Sequence, residues 1–201
     1  VVAHSSSALW TVDLSLVAAA WVLFALIFLL RARSLRPLVR NRDRRSLLGL
    51  ALEIAGYVVV RAGLRSGATP HFAAGAVGRT ALTLAAAVIL ATSLLLTRDA
   101  VTALGKHWSL AAHVVEGHRL VTSGAYSLVR HPIYTGMLGM LIGTALAIST
   151  WWALIAGMAV FLIGTGLRIR TEEGLLRAEF GDAYREYARR VPALIPRPPR
   201  A

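Results

Sequence analysis

Two hundred and one residues ordinarily make one or two soluble domains, but a chain 56% hydrophobic with a mean hydropathy of +0.61 is far more apolar than a soluble average. Cysteine is absent, which excludes disulfides, thiolate metal ligands and a cysteine nucleophile together. The net charge of +12 sits in arginines flanking apolar runs, without a basic domain interleaved with aromatics, so it points to membrane topology and away from nucleic acid.

Apolar runs of about 20 residues cross a hydrocarbon core of roughly 30 Å. Five spans are predicted, making the chain an all-α integral membrane protein. The first covers about Ala8 to Leu30, too long for a signal-peptide core and followed by an arginine-rich stop, so it reads as a retained span. Asp13 is expected near its outer interface. The second, about Leu47 to Leu64, carries Glu53 two turns in and Arg61 near its far end. A charge there needs a partner or a cavity: Glu53 either lines a substrate path from the bilayer or pairs with a loop arginine. The third is about Thr80 to Thr97.

No charged residue occurs between Pro132 and Leu167, a stretch too long for one helical span and right for two, with Ser149 and Thr150 as the turn. A tight hairpin follows, in which Gly136, Gly139, Gly143, Gly157 and Gly164 let neighbouring backbones approach. Residues 1–97 thus hold three spans and a basic loop, and residues 98–201 the motif-bearing region. From Arg168 to Arg190 the chain reads as a helix lying on the membrane surface, with Leu175, Leu176, Phe180, Tyr184 and Tyr187 at three- and four-residue steps. The proline-rich end after it reads as an extended strap.

Lysine and arginine collect in cytoplasmic loops. The loop after the first span carries Arg31, Arg33, Arg36, Arg40, Arg42, Arg44 and Arg45, whereas only Arg61, Arg65 and Arg79 lie near the opposite face. The N-terminus is therefore expected outside, with the segment 98–131 and the C-terminal tail in the cytoplasm, at the plasma (inner) membrane.

Residues 105–136 are too polar to span and too rich in placed glycines and aromatics for an idle linker. Arg130-His131-Pro132 precedes a long apolar helix, where proline fits the first turn and free backbone N–H groups with the helix dipole can hold a carboxylate. His118, Tyr126, His131 and Tyr134 can hydrogen-bond or stack with an adenine and ribose, and Gly124 supplies a turn. His131 alone reads as an interfacial anchor, as do His107 and His113. The histidines lack the partners at ligand spacing that a zinc site needs. Arg168 and Glu172, four apart, share a helix face; the bland reading is a surface ion pair of little worth. Glu173 points about 100° away and reads as a cap or a partner for an arginine of the tail.

The run Leu120-Val-Thr-Ser-Gly-Ala-Tyr-Ser-Leu-Val-Arg-His-Pro-Ile-Tyr-Thr-Gly136, then Arg168-x-x-x-Glu172-Glu173-x-x-Leu176 and Phe180-Gly-x-x-Tyr184-x-x-Tyr187, resembles the isoprenylcysteine carboxyl methyltransferase family, as a prokaryotic member. The likeness covers about Gly105 to Pro196, and the first three spans match only in hydrophobic character. It implies S-adenosylmethionine as cofactor, held by Glu116, His118, Arg119, Leu120, Val121, Tyr126, His131, Pro132, Ile133, Tyr134 and Glu172. Glu116 stands where many members carry glutamine. The likeness also implies that Arg168 clamps the carboxylate of a lipophilic, prenylated substrate arriving from the bilayer. Competing readings are a phospholipid-amine or other lipophilic-acceptor methyltransferase, which needs a base such as Glu172 or a histidine, a sterol-reductase-like protein using a nicotinamide dinucleotide, and a non-enzymatic membrane scaffold associating through Gly139 and Gly143.

Overall fold

The structure, a computed structural model, describes residues 2–32, 44–63, 75–105 and 120–196. Among these residues the chain is all-helical: α1 (Val2–Ala32), α2 (Arg44–Ala62), α3 (Gly75–Leu104), the single turn α4 (Ala125–Leu128), α5 (Pro132–Ile148) and α6 (Trp151–Arg190). Among the described residues three helices are long and apolar enough to cross a membrane, α1, α3 and α6. The expected second and fourth spans fall outside that group for different reasons. α2 includes Arg44, Arg45, Glu53 and Arg61, and the 17 residues of α5 reach only about 26 Å.

α5 occupies the centre. One side packs with α1 and α3 through Val17, Ala20, Phe24, Leu90, Met140 and Ile148; the other packs with α2 and α6 through Val60, Leu141, Ala145 and Phe161. Tyr57 on α2 donates to the Met137 carbonyl at 2.7 Å, and Trp21 on α1 donates to Thr144 at 3.1 Å, so both flanks are also pinned by hydrogen bonds. The outward surface is apolar, including Leu23, Leu26, Ile54, Val88, Leu95 and Ile163. Water would penalise so much exposed hydrocarbon, and lipid would not.

Glycines do set the close helix approaches, but not across the α5–α6 turn. A Cβ on Gly136, Gly139 or Gly143 would meet Thr97, Ser93 and Leu90 of α3. A Cβ on Gly157 or Gly164 would lie 2.7 Å from the Gly56 carbonyl oxygen and 2.5 Å from that of Gly49, both on α2. Two antiparallel glycine seams, α3 with α5 and α2 with α6, hold the bundle by backbone contact. The Gly139–Gly143 spacing is thus used inside the chain.

The tail helix continues directly out of the last span. α6 runs past Arg168 and is kinked at Gly181, its one non-helical residue, at φ 51° and ψ −120°, a conformation glycine tolerates. The charges starting at Arg168 need no break in the helix, because neighbouring elements supply their partners. Asp13, expected near an interface, is buried: it accepts a hydrogen bond from Thr83 at 2.6 Å and lies 3.6 Å from Arg79.

Candidate active site

The approach to α5 is a turn built on α3. Asp99 accepts the Ala125 N–H at 2.6 Å and so starts α4. Gly124 before it adopts φ 62°, and a Cβ there would stand 3.1 Å from Asp99 Oδ2. The positive φ favours glycine, and a side chain would also press on Asp99. Tyr126 is buried beside Ala100, Val121 and Ile133, and its carbonyl accepts from the Tyr187 hydroxyl at 2.7 Å. α6 is thereby fastened to this turn some twenty residues beyond Arg168.

The residues after α6 form the expected strap. The Arg130 N–H donates to the Pro192 carbonyl at 2.8 Å, the His131 N–H to that of Ala193 at 3.0 Å, and the Thr135 hydroxyl to that of Leu194 at 2.7 Å. Two N–H groups expected to be free are therefore taken. Pro132 has none, and the Thr135 N–H bonds the His131 carbonyl. By helix geometry the N–H groups of Ile133 and Tyr134 remain for an anion, at an end that no side chain caps.

Against this end lies a chain of charges carried by α6. Arg168 donates through Nε to the Tyr134 hydroxyl at 2.8 Å, and Tyr134 donates onward to Glu172. The Arg168 guanidinium also lies over the Tyr134 ring, 5.2 Å from its centre, and Nη1 is 3.6 Å from Glu53. Arg168 and Glu172 do share a face, and Tyr134 joins them. His131 stacks on Tyr134 at 5.8 Å, with Nδ1 3.6 Å from Glu172 and Nε2 3.3 Å from Glu173. Burial disfavours the imidazolium, but the two carboxylates outweigh that and hold the His131 pKa above its ordinary value.

Glu173 has a larger role than a cap. It does pair with Arg177 of the tail at 2.5 Å, yet it also accepts from Arg130 at 2.7 and 3.0 Å and faces His131. Arg130 in turn donates to the Ala188 carbonyl at 2.9 Å and, in the strap, to that of Val191 at 2.5 Å. One buried carboxylate thus ties α6, the start of α5 and the strap together. Glu172 is the more open of the neighbouring pair, its side chain 24% exposed against 7% for Glu173.

The structure therefore brings Arg168, Glu172, His131 and Tyr134 into one cluster, with Tyr126, Pro132, Ile133, Leu120 and Val121 on the adjoining turn. Glu116, His118 and Arg119, like His107 and His113, lie outside the described residues. Sequence reasoning missed Asp99 and the meeting of Glu53 with Arg168. The signal for the second was present: two opposite charges in apolar helices, each too costly to leave unpaired.

The isoprenylcysteine carboxyl methyltransferase (ICMT) family model matches residues 82–178, covering most of α3, the turn, α5 and the Arg168–Glu173 cluster. Over this region the chain is similar to the isoprenylcysteine carboxyl methyltransferase family. The match includes the third predicted span, whose likeness is more than hydrophobic character, and stops short of Phe180, Tyr184 and Tyr187. Among relatives, protein-S-isoprenylcysteine O-methyltransferase B of Arabidopsis thaliana is 41% identical over 81 residues, 40% of this chain and 41% of that protein. The protein-S-isoprenylcysteine O-methyltransferase of Schizosaccharomyces pombe is 38% identical over 79 residues, 39% of this chain and 34% of the relative. A bacterial relative, cobalt-zinc-cadmium resistance protein CzcN of Cupriavidus metallidurans, is 39% identical over 98 residues, 47% of this chain and 44% of the relative. The chain thus spans less than half the length of these relatives.

Proposed function

We propose that this chain is a membrane-embedded, S-adenosylmethionine-dependent methyltransferase that esterifies the carboxylate of a lipophilic, isoprenylcysteine-like acceptor. The observation carrying this reading is Arg168, a buried guanidinium in apolar surroundings that is coupled through one tyrosine hydroxyl to a more open carboxylate, Glu172. The donor set suits the cofactor: Glu172 and the tyrosines complement a cation, and the uncapped end of α5 complements a carboxylate. Bound S-adenosylmethionine supplies an electrophilic methyl group.

The residues proposed to hold it are Glu172, His131 and Tyr134 with Tyr126, Pro132, Ile133, Leu120 and Val121, joined by Glu116, His118 and Arg119 from outside the described residues. An acceptor carboxylate is already ionised at neutral pH and needs no general base. The protein's tasks are alignment and exclusion of water. Arg168 performs the first by gripping the carboxylate with its planar fork. The strap and the Glu173 cluster perform the second by closing the start of α5 against α6.

In the same reading α1, α2, α3, α5 and the uncharged part of α6 all cross the plasma (inner) membrane, α2 and α5 being shielded by their neighbours. The N-terminus is outside and the cluster is at the cytoplasmic face. The acceptor's apolar part reaches Arg168 laterally from the lipid. Purified protein incubated with methyl-labelled cofactor and a panel of prenylcysteine analogues, fatty acids and lipid extracts should yield base-labile label in an acid. Label confined to amines, or absent throughout, would overturn the carboxylate reading.

A further inference from the structure

Arg168 already has an acid beside it before any acceptor arrives. Glu53 on α2 is fully buried, and its Oε1 accepts from Thr165 on α6 at 3.0 Å. Its Oε2 stands 3.6 Å from Arg168 Nη1, beyond hydrogen-bonding distance, and has no hydrogen-bond partner. The two residues are held in this relation by the glycine seam. One turn from Glu53, Gly49 leaves the space through which the Arg168 stem passes; a Cβ there would lie 2.5 Å from Arg168 Cγ.

We infer that Glu53 is a specificity-determining residue of the acceptor site, which weakens the hold of Arg168 on an acid and so narrows the preference for acid acceptor over neutral ester product. This rests on the carboxylate reading above. The reason is electrostatic. Charges a few ångströms apart in a low-dielectric site interact far more strongly than in water, so an acceptor carboxylate at Arg168 meets repulsion from Glu53 as well as attraction from the guanidinium. An arginine stripped of its internal acid would hold a buried charge less well compensated, which is costly, and would bind an incoming acid more tightly. A site with Glu53 in place gives up affinity for the acid and retains the neutral ester comparatively well.

The test compares N-acetyl-S-farnesylcysteine with its methyl ester, which differ in charge and scarcely in shape, binding to detergent-purified full chain by titration calorimetry. Glu53→Gln should bind the acid about tenfold more tightly or better, with ester affinity within about twofold of the parent. Its melting temperature without ligand should fall, and the acid should raise it further than an equal concentration of the ester does. Glu53→Asp, which withdraws the charge by one methylene, should shift the acid in the same direction by less and carries the test if the glutamine variant does not fold. Weaker or unchanged acid binding in both variants would overturn the inference and make Glu53 a support for the guanidinium. Methyl transfer by the parent protein to the acid, measured alongside, keeps the two ideas apart: transfer with an unchanged acid-to-ester ratio sinks the inference alone, and absence of transfer sinks the carboxylate reading and this inference with it.

Discussion

Among the described residues, two carboxylate–arginine pairs are buried between long helices, Asp13 with Arg79 between α1 and α3 and Glu53 with Arg168 between α2 and α6, each at 3.6 Å. In both, a threonine hydroxyl holds the acid: Thr83 for Asp13 at 2.6 Å and Thr165 for Glu53 at 3.0 Å. They differ in what the arginine touches next. From Arg168 the contacts lead to Tyr134, Glu172, His131, Glu173 and Arg130, whereas the Asp13 pair fastens the far ends of two helices. The same pair of charges is a clasp in one place and, in our reading, half of an acceptor site in the other. Residue type and burial do not separate these roles; connection to a ligand-sized cluster does.

The comparison breaks most visibly at Arg168. Arg168→Lys keeps the charge and loses the two-pronged donor, so turnover should fall about a thousandfold, or about 4 kcal/mol, while cofactor affinity stays within about twofold. Full turnover in a stable lysine variant would remove the clamp. Asp13→Asn should act on folding instead: loss of its charge beside buried Arg79 should cost about 3 kcal/mol, read from denaturant or thermal unfolding, with activity per folded molecule preserved. A large activity loss in folded Asp13→Asn protein would mean that the two pairs are not functionally distinct.

Glu172→Gln should weaken cofactor binding by about 1–3 kcal/mol with little effect on acceptor binding, measured by calorimetry with each ligand separately. The smallest effect is a pH dependence at His131. Its pKa is raised on folding, so its pairing with Glu172 and Glu173 stabilises the protein fully below the ordinary imidazole value and is lost as pH rises through the folded-state value. Melting temperature should therefore decline across that alkaline step, and His131→Gln should flatten the decline. A parent protein whose stability rises over the same interval would contradict the assigned pairing.

Much of the organisation was legible in the sequence because apolar length, glycine and proline act locally. The turn at Ser149 and Thr150, Gly124 in a left-handed turn, Pro132 at the first position of α5 and the extended strap after α6 all follow from what those residues permit in their own backbone. The shared face of Arg168 and Glu172 follows equally from helical periodicity. What the local pattern left open was the partners of the charges from Arg168 onward. Glu53, Tyr134 and Arg130 receive them.

The sequence by itself determined that the chain is apolar and helical, where its helices turn, and which short polar segment stands out as the candidate site, since hydrophobic burial and backbone preference are properties of single residues and near neighbours. Only the tertiary structure decided the partners: that glycines of α5 meet α3 and those of α6 meet α2, that Glu173 joins three elements, and that Glu53, 115 positions before Arg168, stands beside its guanidinium. Charges in an apolar interior must be compensated, but the chain does not encode locally which opposite charge does it. That choice is made by the packing that brings α2 against α6.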